Sequence, residues 1–194
     1  KLCMSAGANM ILSGIPGSGK TELTKTMTGF LDFLQVIITI EDTPEGHFKE
    51  LFPHLDITSW YTNNNLTESE LIDEALRNDC DWLMVTETRT SAAAYALFKG
   101  FLTGAKGITS IHSASAYEIP SRYYNMIKSD LPIDKDAFYD DFYATVDLGF
   151  HQVRKWIGGK IVRFIDEIVE FTKDGQRKTI YRRWEEDGVF YSEV

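Results

Sequence analysis

Cysteine is nearly absent from this sequence: of its 194 residues, only Cys3 and Cys80 carry a thiol. They form no CxxC pair and cannot supply the four thiolates of a structural zinc site, so they are expected to be reduced thiols of a cytosolic protein. Histidine is also scarce, and His47, His54 and His151 fall at no metal-ligand spacing. No apolar run approaches the ~20 residues of a membrane span, so no transmembrane segment is expected, and no signal-peptide pattern opens the chain. Positive charge is in deficit, 20 Lys and Arg against 29 Asp and Glu, for a formal net charge of −9. A surface of that sign repels a phosphate backbone, so no direct nucleic-acid partner is expected, although a local basic patch is compatible with the total. Internal repeats, low-complexity tracts and obvious linkers are missing too.

What is present suits one α/β domain with a sizeable core: 43% hydrophobic and 25% charged residues, the proportions of a globular protein. The chain begins at Lys1, about one strand before its first motif and without an initiator Met. An excised domain lacking its natural N-terminal part is the expectation.

Apolar segments alternate with helical patterns over the first two-thirds, which predicts βαβ units and a mainly parallel sheet. Strands are expected at Asn9–Ser13, Val36–Glu41, Ile57–Tyr61, Trp82–Thr86 and Gly107–His112. Helices are expected at Lys20–Leu34, Thr67–Asn78, Ser91–Thr103 and Ala116–Ser129. Thr67 and Glu70 have the spacing of a capping box with Leu66 as a staple, and Ser91 can cap the alanine run after it. After about Thr145 the pattern changes. Val146–Trp156, Lys160–Phe171 and Lys178–Trp184 read as strands joined at Gly158-Gly159 and Asp174-Gly175, dipeptides that favour tight antiparallel turns. Residues 1–144 are therefore expected to form the core, and 145–194 a β-meander packed on it, with packing or subunit contact as its expected role.

Gly14-Ile15-Pro16-Gly17-Ser18-Gly19-Lys20-Thr21 is a complete P-loop. Such a loop curls successive backbone N–H groups around an anion, and Gly14, Gly17 and Gly19 stand where a Cβ would block the curl or the phosphate. Lys20 is expected to reach the β- and γ-phosphates and the Thr21 hydroxyl to coordinate Mg²⁺, while the helix N-terminus adds partial positive charge. Met10-Ile11-Leu12 before the loop and Leu23, Met27, Phe30 and Leu31 after it give the strand–loop–helix context the motif requires. The phosphate-binding set is Gly14, Pro16, Gly17, Ser18, Gly19, Lys20, Thr21 and Glu22.

The loop alone does not separate a motor from a kinase or a switch. Glu41, with Asp42 and Glu45 after it, ends one buried strand, and Glu87 ends another. Ligands of open α/β sheets bind at those strand ends, and hydrolysis of a phosphoanhydride needs a positioned water and metal more than covalent chemistry. Two acids at one sheet edge beside a P-loop point to hydrolysis rather than to solvated loop acids. His112 closes the last parallel strand, where it can contact the γ-phosphate or be a satisfied structural histidine.

These four segments, GIPGSGKT, ITIEDTPE, LMVTETR and GAKGITSIHSAS, resemble the Walker A loop, Asp box, Walker B strand and His box of the secretion ATPase superfamily. Its members power type II and type IV secretion, conjugation and pilus extension or retraction. Order, intervals and flanking strands agree over roughly residues 9 to 125, and the C-terminal hairpins resemble the family's ending. The resemblance implies a RecA-like P-loop fold, ATP and Mg²⁺ as ligands, and phosphate and metal contacts from Lys20 and Thr21. It implies an acid near metal and attacking water at Glu41, a Walker B glutamate at Glu87 (both also metal-side residues), and a γ-phosphate contact at His112. Arg89 and Arg122 stand where the family often has arginines, for a neighbouring subunit or a salt bridge. Thr86 stands where Gly or Asp is usual and Glu22 where a second Thr is common, and neither removes a required phosphate contact. The absence of a four-cysteine zinc module favours the type IV secretion and conjugation branch. The resemblance further implies a homo-hexameric ring, inner-membrane secretion or pilus proteins as partners, a cytoplasmic position at that membrane, and weak ATP binding and slow turnover by this fragment alone. Two other readings stay open: a nucleotide-dependent scaffold with little hydrolysis, kept open by Thr86, and a P-loop small-molecule kinase, for which no arginine-rich lid is visible.

Overall fold

In the computed structural model, which describes all residues from Lys1 to Val194, four of the first five strands are buried along almost their whole length. These are β1 (Met10–Ser13), β2 (Val36–Glu41), β4 (Trp82–Val85) and β5 (Lys106–Ile111), with β3 (Asp56–Tyr61) at the sheet edge. Continuous apolar runs are what a parallel sheet covered on both faces demands. Because side chains alternate across a strand, Ile11, Ile38, Leu83 and Val85 enter one core while Met10, Leu12, Ile37, Trp82 and Met84 enter the other. The larger core is closed by α4 (Glu68–Arg77), α5 (Ser91–Leu102), α6 (Ile119–Lys128) and α7 (Lys135–Thr145). The smaller lies under α1 (Leu2–Ser5), α2 (Lys20–Thr28) and α3 (Phe48–Leu51).

One nine-stranded sheet runs through the whole molecule in the order β3-β2-β4-β5-β1-β6-β7-β8-β9. Its last four members are β6 (Leu148–Ile157), β7 (Lys160–Phe171), β8 (Arg177–Glu186) and β9 (Val189–Glu193). β6 lies parallel to β1, in register from Met10↔Leu148 to Ser13↔His151, and the strands beyond it are antiparallel. The later strands thus extend the core sheet directly from its P-loop strand.

Several boundaries differ from the sequence reading, each for a local reason. α2 ends at Thr28 rather than Leu34. Thr24, Thr26 and Thr28 turn their hydroxyls back onto the carbonyls four residues earlier, Gly29 follows, and the Asp32 carboxylate accepts the Leu34 N–H in a turn. α6 begins at Ile119 rather than Ala116, because the Ala116 and Tyr117 N–H groups donate to the Glu167 carboxylate, and Pro120 then suits the first helical turn. Thr90, not Ser91, caps α5 by accepting the Ala93 N–H at 3.2 Å; Ser91 donates instead to Ile127 O, across to α6. The Thr67–Glu70 capping box is present with both of its reciprocal hydrogen bonds. Unforeseen elements are α1, α3, α7 and β9. Asp134 caps α7, whose Phe138, Phe142 and Tyr143 enter the larger core. No helix is long and apolar enough to cross a membrane.

Candidate functional site

The P-loop leaves β1 at Gly14, where the backbone adopts φ 143°, and a Cβ there would stand 2.2 Å from Gln152 O and 2.8 Å from the Ser18 hydroxyl. Only glycine can take this corner. The loop closes on itself with Ser18 N–H donating to Ile15 O at 3.1 Å and opens α2 at Lys20. The Lys20 ammonium lies inside the curl, donating to Gly14 O at 2.9 Å and reaching Ile15 O at 3.5 Å. Lys20 is 7% exposed, and burial holds its amine below the usual lysine range against the opposing pull of Glu87. Ser18 is fully buried and its hydroxyl has no partner. Thr21 faces outward from the first turn of α2, and its hydroxyl, unlike those of Thr24, Thr26 and Thr28, makes no bond back to the helix.

Three parallel strands deliver the other expected residues to this end of the sheet. At the end of β2, Glu41 is 1% exposed; its Oε2 accepts the Gly46 N–H at 2.7 Å, and its buried Oε1 has no partner. Burial raises its carboxyl above the ordinary glutamate range, and the Gly46 bond only partly offsets this. Glu87, just past β4, is gripped from two sides: Arg89 Nη2 donates to its Oε2 at 3.0 Å, and His112 Nε2 lies 2.7 Å from its Oε1. Burial alone would raise the Glu87 carboxyl. Arg89, then His112 and Lys20, outweigh it and hold the group below the usual range.

His112, just past β5, also places Nδ1 2.9 Å from Gly14 O. A carbonyl only accepts, so Nδ1 donates, and the other ring nitrogen faces the Glu87 carboxylate. The ring therefore ties the loop to Glu87. Arg89 continues the chain by donating to Asp42 at 3.2 Å, and Arg122 Nε donates to His112 O at 3.0 Å. Both arginines thus hold the site's own residues.

A cavity of about 60 Å³ is lined by Thr21, Glu41, Asp42, Thr43, Glu45, Thr86, Glu87 and Arg89, with no hydrophobic residue among them. A hard cation with oxygen ligands fits this set: a free hydroxyl on Thr21, a partnerless buried oxygen on Glu41, and Glu87 opposite. No three acidic or imidazole side chains are close enough to hold a metal by themselves. That is the coordination habit of Mg²⁺, which takes one or two protein groups and completes its shell with phosphate and water oxygens. A larger cavity, about 600 Å³, opens over Gly17, Gly19, Lys20, Thr21, Glu22 and Glu87. Pro16 lines it as well.

Four residues here carry no sequence motif. Gln152 and Arg163, from β6 and β7, line the larger cavity, and Arg154 of β6 reaches Gly17. Glu68, the first residue of α4, lines a cavity behind Glu87 together with Asp42 and Arg89. Its Oε1 is buried without a partner, and its carboxyl is raised to about 7 by burial, with Arg89 opposing and Asp42 and Glu87 reinforcing the shift. The spacing of Glu68 marked only a helix start. The arginines lay mid-strand, where the sheet register alone reveals their neighbour.

Residues 1–136 match the family described as type II/IV secretion system protein. An uncharacterized protein of Bacillus anthracis is 36% identical over 184 residues, covering 90% of this chain and 42% of that one. VirB11 of Agrobacterium fabrum is 30% identical over 134 residues, or 66% of this chain and 38% of that one. Among solved structures, the VirB11 ATPase of the Brucella suis type IV secretion system, in complex with sulphate, superposes with a TM-score of 0.75 at 24% identity, covering 87% of this chain and 50% of that one. The pilus retraction motor PilT with bound ADP gives a TM-score of 0.68 at 23% identity, over 81% of this chain and 46% of that one. These superpositions establish a shared fold. The chain spans half the length or less of each of these relatives.

Proposed function

The chain belongs to the type II/IV secretion system protein family, and from that premise we propose that it is the motor domain of a ring-forming, homo-hexameric ATPase. In this reading residues 1–144 are the P-loop core and 145–194 the meander packed on it. The ring docks on type IV secretion, conjugation or pilus machinery at the cytoplasmic face of the inner membrane. The observation that carries the reading is the convergence of Glu41, Glu87 and His112 on Lys20 and the P-loop from three different strands.

The residues divide the work as follows. Backbone N–H groups of Gly17, Ser18 and Gly19 and the ammonium of Lys20 bind the β- and γ-phosphates of ATP, Lys20 exchanging its bond to Gly14 O for phosphate oxygen. Thr21 and Glu41 would hold Mg²⁺, with Glu87 nearby, and the ion would supply positive charge to offset that of the phosphates. Glu87, kept ionised by Arg89 and His112, accepts a hydrogen bond from the attacking water and orients it toward the γ-phosphate. His112 couples that carboxylate to the loop, so loss of the γ-phosphate is felt at Gly14 O.

The test is phosphate release by the full-length protein, with its mass measured with and without ATP. Steady Mg²⁺-dependent release from a nucleotide-stabilised hexamer is the expected result. Assembly on ATP without release would favour a scaffold, and a monomer phosphorylating a small acceptor would favour a kinase.

A further inference from the structure

β6 and β7 approach the P-loop more closely than packing of a sheet extension requires. A Cβ on Gly17 would stand 2.9 Å from Arg154 Nη1, and one on Gly19 would stand 3.1 Å from Gln152 Nε2 and 3.3 Å from Arg163 Cδ. Arg163 Nε donates to Gly17 O at 2.8 Å, across 146 residues of sequence. Three long polar side chains therefore rest on the tip of the loop.

The two arginines are directly opposite one another, Arg154↔Arg163, in the β6–β7 register. Opposed residues of an antiparallel pair project from the same face, and like charges in that position destabilise it. No opposite charge or aromatic ring in the molecule compensates them. Neither arginine has a carboxylate within ion-pair distance, and neither lies over an aromatic ring. The Arg154 side chain makes no hydrogen bond, and that of Arg163 makes one through Nε, leaving both its Nη groups free. This holds in a chain with nine more acidic than basic residues, where carboxylate partners are plentiful. Beside them Gln152 Oε1 is buried without a partner, and Gln152 and Arg163 line the same cavity as Lys20 and Thr21.

We propose that Arg154 and Arg163 are a second anion clamp of the nucleotide site, gripping the phosphates of a bound nucleotide in cis from the side of the loop opposite Glu41 and Glu87. The inference rests on the nucleotide-binding reading given above and adds which residues complete it. A planar guanidinium with free Nη donors suits phosphate oxygens, and two of them facing a polyphosphate exchange mutual repulsion for attraction. The β6–β7 hairpin is then part of the ligand site, and the glycines at 17 and 19 also admit its arginines to the loop.

The test is calorimetric binding of Mg-ADP and of inorganic pyrophosphate to the intact protein, wild type and variants, with the melting temperature of each nucleotide-free protein measured alongside. Arg154→Ala should weaken both ligands about tenfold, and the Arg154→Ala/Arg163→Ala double variant about a hundredfold. Nucleotide-free Arg154→Ala should melt no lower than wild type, because its removal relieves a like-charge pair and breaks no hydrogen bond. Affinities within twofold of wild type would overturn the clamp. So would a lower melting temperature that accounts for the lost affinity, or a loss confined to ADP with pyrophosphate unaffected. If the wild type itself binds neither ligand, the nucleotide site as a whole fails, an outcome separate from unaffected variants.

Discussion

The P-loop sits between two walls of opposite charge. On one side the ends of β2, β4 and β5 bring carboxylates and a histidine, Glu41, Glu87 and His112. On the other, the middle of the β6–β7 hairpin brings Gln152, Arg154 and Arg163. The acidic wall is built from strand ends in a parallel sheet, where each acid's position follows from its place just past an apolar run. The basic wall is built from residues inside antiparallel strands, where position depends on which residue pairs with which. The first kind of wall keeps a motif; the second does not.

That contrast can be broken at graded cost. The loop between the walls comes first. Lys20→Ala removes the only ammonium inside the curl and should cut ATP affinity by at least ~100-fold, read by calorimetry, since charge-assisted bonds to phosphate are the strongest available here. Glu87→Gln breaks the acidic wall alone. It keeps the shape of the side chain but weakens its hold on water, so phosphate release by the full-length protein should fall ~10²–10³-fold while ATP remains bound. Equal loss of binding would move Glu87 from the chemistry to the loop's scaffold.

Gly14→Ala attacks the junction of the two walls. The added methyl meets Gln152 O at 2.2 Å in a backbone conformation that L-residues disfavour. A loss of about 2–4 kcal/mol in urea unfolding is expected, with nucleotide binding lost alongside. The smallest effect is a pH effect behind the acidic wall. The folded-state carboxyl of Glu68 titrates near 7, above its ordinary value of 4.5. Between those values the folded protein holds a proton that the unfolded chain releases, so this group's contribution to stability declines as pH rises from 4.5 to 7 and stays low above it. Glu68→Gln should therefore match wild type at pH 4.5 and be more stable at pH 8, by about 1–2 kcal/mol. Chemical denaturation at the two pH values checks the sign, and an equal difference at both would remove the titration from the account.

The same division explains what the sequence disclosed. β2 and the P-loop were legible because a mostly apolar run followed by acids, or by spaced glycines, has few structural readings. The start of α4 was legible because a capping box is a local bond pattern. The end of α2 was not: its apolar spacing continues through Phe30 and Leu31, while threonine back-bonding and Gly29 end the helix earlier. α7 was missed although Phe138, Tyr139, Phe142 and Tyr143 recur at helical i, i+4 spacing; the first, third and fourth of them are buried in the core. Arg154 and Arg163 belong to no motif, and only the β6–β7 register sets them face to face beside the P-loop.

The pairing of β1 with β6 also bears on when the site comes into being. Ser13 and Phe150 are joined across 137 residues and His112 and Gly14 across 98, whereas contacts close in sequence form early and distant ones late. The P-loop is therefore made before the strand that seats it. Lys20 precedes β6 and β7 in the chain, and its loop lacks one flank until β6 arrives and the far wall until β7 folds back. Nucleotide binding accordingly reports completion of the sheet, and a chain truncated after Thr145 should keep every motif residue and bind no ATP.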